Sequence, residues 1–168
     1  MPADTISLIG MPGTGKSTVG VILAKQLGMR FVDSDIELQS QRGRCLQDIL
    51  EIEGFLALRA LEEEVLLSID LHDAVLATGG SAIYSQSALQ RLKACGPIVN
   101  LETEVGLLKE RINRAPARGI ASDPALTLDE VLAERAPLYD RHATFTIPTA
   151  ALSPDEIAAE IIRRVALA

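Results

Sequence analysis

Apolar residues follow two rhythms that alternate along the chain. Five short runs, 5–10 (TISLIG), 31–32 (FV), 74–78 (AVLAT), 97–101 (PIVNL) and 144–147 (TFTI), are brief, largely apolar and often β-branched, which predicts strands. Between them, apolar positions return every three or four residues. Val19, Ile22, Leu23 and Leu27 mark one helical face, closed by Gly28 as a C-terminal cap, and Val105, Leu108 and Ile112 mark another. Two further helix starts carry capping boxes, Thr127 with Glu130 and Ser153 with Glu156, and Pro154 takes the first helical position of the second. Short strands alternating with helices predict an α/β fold. Its central five-stranded sheet is parallel, helices cover both faces, and ligands bind beyond the carboxyl ends of the strands.

One stretch escapes this scheme. Residues 113–125 (NRAPARGIASDPA) lack periodicity and read as an exposed loop joining two helices, either a mobile lid or a plain surface excursion. No repeat or linker divides the chain, and 168 residues suit a single domain over 1–168. Cys45 and Cys95 have no CxxC spacing and no secretory leader before them, so a reducing cytoplasm is expected. A net charge of −7 and a pI near 4.8 disfavour a nucleic-acid partner. No apolar run approaches the ~20 residues needed to cross a bilayer, so no membrane partner is expected.

The strongest chemical signal is GMPGTGKST at 10–18, which fits GxxxxGK[ST] and lies after an apolar strand and before an amphipathic helix. Gly13, Thr14, Gly15, Lys16, Ser17 and Thr18 are therefore predicted to bind ATP. Backbone amides and the helix N-terminus would meet the phosphates, Lys16 the β- and γ-phosphates, and Ser17 the Mg²⁺. The motif leaves the acceptor of the phosphoryl group open.

Candidates for the acceptor side follow. FVDSD ends the second strand run, and if the backbone stays extended, Asp33 and Asp35 face the same way. One carboxylate would then support Mg²⁺ while the other takes a hydroxyl proton; helix capping by Asp33 or Ser34 is the equal alternative. Arg59 lies on a helix whose buried stripe is read as Leu58, Leu61 and Val65, with Glu62 and Glu63 one turn away as partners on a solvated face. Arg135 precedes Pro137, which is expected to break or kink its helix. If the two arginines converge, they form a carboxylate clamp. In ATGGSAIY (77–84), Gly79 and Gly80 could let a ligand rest against bare backbone.

Together these residues resemble the shikimate kinases, small P-loop enzymes that phosphorylate a hydroxyl of a cyclic hydroxy-acid. The resemblance covers most of the chain: the phosphate loop, Asp33 and Asp35, the element ending at Arg59 with Glu62 after it, Gly79–Gly80, and RxPxY from Arg135 to Tyr139. It implies a three-layer P-loop kinase fold with acceptor-binding helices at about 34–62 and a short lid at about 113–125. Asp33 would be linked to Mg²⁺, while Asp35 would contact acceptor hydroxyls and act as base. Arg59, Arg135, Gly79 and Gly80 would bind the acid, Arg111 would contact adenine, and Arg118 would reach the transferred phosphate.

The chain departs from the family pattern in four places. Ser81 replaces a third glycine, Phe55 a glutamate, Leu58 a phenylalanine, and RGIA at Arg118 the usual RPLL. The expected partners are ATP and a small hydroxy-acid, shikimate first, and the chain is expected to be a monomer. The competing readings are a related kinase of another hydroxy-acid or sugar acid, and a non-catalytic ATP-binding regulator.

Overall fold

The computed structural model describes residues 5–115 and 119–167. Strands β1 (Thr5–Ile9), β2 (Arg30–Asp33), β3 (Ala74–Ala77), β4 (Ile98–Glu102) and β5 (Phe145–Pro148) form one sheet in the order β2-β3-β1-β4-β5, every neighbouring pair parallel. All residues of β1 and β3 are buried, as parallel strands covered on both faces must be. The expected parallel five-stranded sheet is thus observed. Only β2 is much longer than its apolar run, because it lies at the sheet edge, where the polar Arg30 and Asp33 are tolerated at its ends.

Among the described residues, eight α-helices connect and cover the strands: α1 (Lys16–Leu27), α2 (Ser34–Arg42), α3 (Leu46–Glu53), α4 (Phe55–Ser68), α5 (Gln86–Cys95), α6 (Val105–Arg114), α7 (Leu128–His142) and α8 (Pro154–Val165). On one face α1 and α8 close a core that includes Leu8, Val19, Leu23, Val99 and Ile161. On the other, α4, α5 and α7 cover Ile9, Leu76 and Ile98 with Leu58, Leu92 and Val131. Among the described residues, no helix is long and apolar enough to cross a membrane.

Two helices correct the expectations. The buried face of α1 is Lys16, Val19, Gly20, Leu23 and Ala24, while Leu27 is exposed and Ile22 half-buried. Gly20 belongs to that face because the helix packs closely on Phe31 there: a Cβ on Gly20 would lie 2.5 Å from the ring. Helix α7 is not broken at Pro137 but runs five residues further to His142. Arg135 and Tyr139, both buried, hold it on either side of the proline.

Both capping boxes form, and they start α7 and α8 where expected. Ser153 Oγ accepts from the N–H of Glu156, whose carboxylate accepts in return from the N–H of Ser153 at 2.7 Å. Ser153→Ala is expected to cost about 1 kcal/mol, read as a lower urea midpoint without a change in slope. An unmoved midpoint would show that the packing of Ile157 and Ile161 holds α8 without its cap.

Candidate active site

Strand register builds the site. Leu8 of β1 lies opposite Ala77 of β3, which lies opposite Asp33 of β2, so three strands end level at one edge of the sheet. Thr78 fixes this edge by donating from both its N–H (3.1 Å) and its Oγ1 (3.0 Å) to the Leu8 carbonyl. The loops that follow carry the phosphate motif, the aspartates and the glycine pair, and therefore meet in one crevice.

In the phosphate loop Gly13 and Gly15 adopt φ of 88° and 93°, a region that side chains disfavour, and Thr14 Oγ1 donates to the Met11 carbonyl at 2.9 Å. Lys16 is buried and donates from Nζ to the carbonyls of Gly10 and Met11, each at 2.8 Å. Its ammonium thus lies across the mouth of the loop. Arg111 of α6 reaches over to donate to the Gly13 carbonyl at 3.2 Å. Beside the loop, a cleft of about 380 Å³ is lined by Gly13, Thr14, Gly15, Ser17, Thr18 and Arg111, with Thr149, Leu152 and Pro154 closing its far wall. Its volume falls in the range of small-ligand pockets. The sequence did not reveal that far wall, because nothing local says the segment after β5 returns to the phosphate loop. Arg118 lies outside the described residues.

Asp33 caps a helix, as one of its two readings had it, and also meets the phosphate loop. Its Oδ1 caps α2, accepting from the N–H of Asp35 (3.0 Å) and Ile36 (3.4 Å), while Oδ2 accepts from Ser17 Oγ at 2.6 Å. Asp35 is not an extended neighbour facing the same way, because the chain turns into α2 at Ser34. The helix turn separates the pair: Asp33 stays with Ser17, whereas Asp35 lines both the Ser17 side and a second pocket with Lys16 and Arg135. Ser17 and Asp33 offer hard oxygen donors of the kind Mg²⁺ takes alongside phosphate oxygens and water. Among the described residues, no group of three His, Cys, Asp or Glu could hold a metal unaided.

The two predicted clamp arginines converge. Arg59 Nε (2.9 Å) and Arg135 Nη2 (2.8 Å) both donate to one oxygen, the carbonyl of Ala121. Arg135 is fully buried, and Arg59 stacks on Tyr84 with its guanidinium carbon 3.8 Å from the ring centre and on Phe55 at 5.1 Å. Gly119, Ile120 and Ala121 close over the pocket that holds Lys16, Asp35, Glu62 and Arg135, leaving about 20 Å³ within it. The glycines meet this wall without positive φ, so space demands them rather than backbone conformation. A Cβ on Gly79 would come within 2.5 Å of Glu62 Oε1 and 2.8 Å of Asp35 Oδ1; one on Gly80 would lie 2.7 Å from the Pro12 ring and 3.0 Å from Arg135 Nη1. Tyr139 donates its hydroxyl to the Gly80 carbonyl, tying α7 to this floor.

Glu62 was misread in sequence as a solvated partner of Arg59. It is buried, and the inward face of α4 is Leu58, Glu62, Val65 and Leu66, with Leu61 only partly buried. Spacing from Leu58 contained that signal, but the charge of a glutamate argued against it. Burial and then the neighbouring Asp35 raise its pKa to about 8, although Arg135, Arg59 and Lys16 pull the other way.

The chain matches the shikimate kinase family model over residues 12–166. It is 38% identical to the shikimate kinase of Thermobifida fusca, with 94% of this chain and 91% of that protein covered, and 36% identical to that of Vibrio vulnificus, with 94% of each covered. Among solved structures it resembles shikimate kinase from Acinetobacter baumannii in complex with shikimate, at a TM-score of 0.86 and 34% identity over 97% of this chain and 93% of that one.

Glu62 has a consequence for stability. Its folded pKa of about 8 lies above the unfolded value of 4.5, so between these values the unfolded chain has lost a proton that the folded chain keeps. Stability from this group therefore falls as pH rises through that window, by at most about 1.4 kcal/mol per pH unit. Glu62→Gln in the ligand-free protein should flatten the decline and raise Tm at pH 8 relative to the parent. Parallel Tm curves between pH 5 and 8 would show that Glu62 ionises normally.

Proposed function

Since the chain belongs to the shikimate kinase family, we propose that it transfers the γ-phosphoryl group of ATP to a hydroxyl of shikimate, yielding shikimate 3-phosphate and ADP for aromatic amino-acid biosynthesis. The observation that carries the proposal is the meeting of two guanidiniums on a single oxygen, that of Ala121, which lines a pocket with Lys16, Asp35 and Arg135. Two arginines on one oxygen form a receptor for a carboxylate, and an acid bound there lies between a carboxylate base and the phosphate loop.

Each residue has a task in this reading. Gly13, Thr14, Gly15, Ser17, Thr18 and Arg111 bind ATP in the larger cleft, while Lys16 faces the side where the two substrates meet. Ser17 and Asp33 would hold Mg²⁺, which offsets phosphate charge when bound. Arg59 and Arg135 fix the acid over Gly79 and Gly80. Asp35 accepts the proton of the attacking hydroxyl as its oxygen bonds to the γ-phosphorus and the bond to the ADP oxygen breaks. To enter, the acid's carboxylate replaces the Ala121 carbonyl between the arginines, exchanging neutral hydrogen bonds for charge-assisted ones. A site drawn from one chain, a net charge of −7 and two free cysteines fit a cytoplasmic monomer with no nucleic-acid or membrane partner.

Arg59→Ala should remove charge-assisted bonds worth about 1.5 to 3 kcal/mol and raise the KM for shikimate roughly tenfold to a hundredfold while sparing that for ATP. An unaltered shikimate KM would dismiss the clamp. Lys16→Ala, acting on the donor, should depress kcat with any acceptor. The reading as a whole is tested by ADP release over a panel of hydroxy-acids and sugar acids. Turnover of another acid without turnover of shikimate would overturn it, and nucleotide binding without any turnover would favour a regulator.

A further inference from the structure

The serine that follows the glycine pair has a hydroxyl that makes no hydrogen bond among the described residues. Ser81 is 4% exposed, and its Oγ is buried without a hydrogen-bond partner among the described residues. It stands in the capping position of a short 3-10 turn, Ala82–Tyr84, but makes no side-chain cap. Only its backbone serves the turn, its carbonyl accepting from the N–H of Tyr84 at 3.0 Å. A buried hydroxyl lacking a partner is unfavourable, and a ligand that supplies one removes the penalty.

The position of Ser81 says which part of a ligand would do so. It lines the pocket that contains Lys16, Asp35 and Arg135, and also the adjoining opening lined by Arg59, Tyr84 and Ser85. Among the described residues, Glu62 and Ser81 line both, so the serine borders the spaces that Arg135 and Arg59 each line. The preceding Gly80 is pressed against Arg135, with Nη1 3.0 Å from where a Cβ would stand.

We propose that Ser81 Oγ donates a hydrogen bond to the carboxylate of the acceptor, as a third donor beside Arg59 and Arg135. A carboxylate has about four lone-pair sites, which two guanidiniums need not exhaust. The hydroxyl would select for a carboxylate at this end of the acceptor and make the position specificity-determining, a role that a glycine side chain could not fill. This inference rests on the functional reading above and deepens it.

The test is steady-state kinetics with shikimate on Ser81→Ala and Ser81→Gly, together with thermal melts with and without shikimate. Both variants should raise the shikimate KM by about tenfold, the factor expected for one hydrogen bond to a charged group at the weak end, with the ATP KM within twofold. The ligand-free Tm of Ser81→Ala should not fall, because the lost hydroxyl had no partner, while the rise in Tm on adding shikimate should shrink. In an Arg59→Ala background the effect of Ser81→Ala should be smaller than in the parent, since both groups would grip the same carboxylate. An unchanged shikimate KM in Ser81→Ala, a lowered ligand-free Tm with an undiminished shikimate shift, or an effect confined to Ser81→Gly would overturn the proposal. Equal effects in the two backgrounds would overturn the assignment to the carboxylate. Absence of shikimate turnover by the parent protein is a separate result, which removes the functional reading and this inference with it.

Discussion

A guanidinium shut away from water must find acceptors, and the acceptor side of this molecule is arranged around that requirement at Arg135. It donates to the Ala121 carbonyl and, at 3.4 Å, to the Tyr84 hydroxyl. Tyr84 in turn stacks under Arg59, which shares the same carbonyl. Tyr139, one turn along α7, has its phenol pushed far up by burial, so its hydroxyl stays protonated and anchors Gly80. One buried cation therefore fixes the Ala121 carbonyl, the aromatic stack and the glycine floor together. Placing it on a helix that continues past Pro137 keeps Arg135 and Tyr139 on the same side of that helix, four residues apart.

The donor side obeys a different constraint, the parallel register that ends β1, β2 and β3 level. That geometry makes Asp33 at once a helix cap and a partner of Ser17, with one oxygen for each task. The cap and the contact with Ser17 use different oxygens of one carboxylate. By holding Oδ1 on the start of α2, it aims Oδ2 at the phosphate loop. Asp35 gains its separate position from the same turn, which takes its carboxylate toward Glu62 and Gly79.

What could be read from sequence follows the range of the interactions. The phosphate loop, the capping boxes and the strands depend on neighbours within a few residues, and their spacing was visible. The convergence of Arg59 and Arg135 could be suspected only by resemblance, since Arg59 meets the Ala121 carbonyl across 62 positions of chain. Glu62 was hidden for a related reason. Its charge argues for solvent, and its burial comes from segments far away in sequence. Pro137 shows the same limit, because the break it could cause does not occur in a helix buried on both sides of it.

The two sites also explain why the closed arrangement around Ala121 is consistent with phosphoryl transfer rather than opposed to it. A kinase that leaves Lys16 and Asp35 open to water exposes the γ-phosphate to hydrolysis. Here Gly119, Ile120 and Ala121 leave about 20 Å³ beside Lys16, Asp35 and Arg135, and the Ala121 carbonyl lies between the two arginines. A neutral oxygen aligns Arg59 and Arg135, yet binds them less strongly than an anionic carboxylate would. On the proposed reading an acid would gain its advantage from charge at groups already in position, and would lose less to ordering the arginines than if they began in solvent. The contact that closes this pocket would then be the one an acid is best equipped to replace.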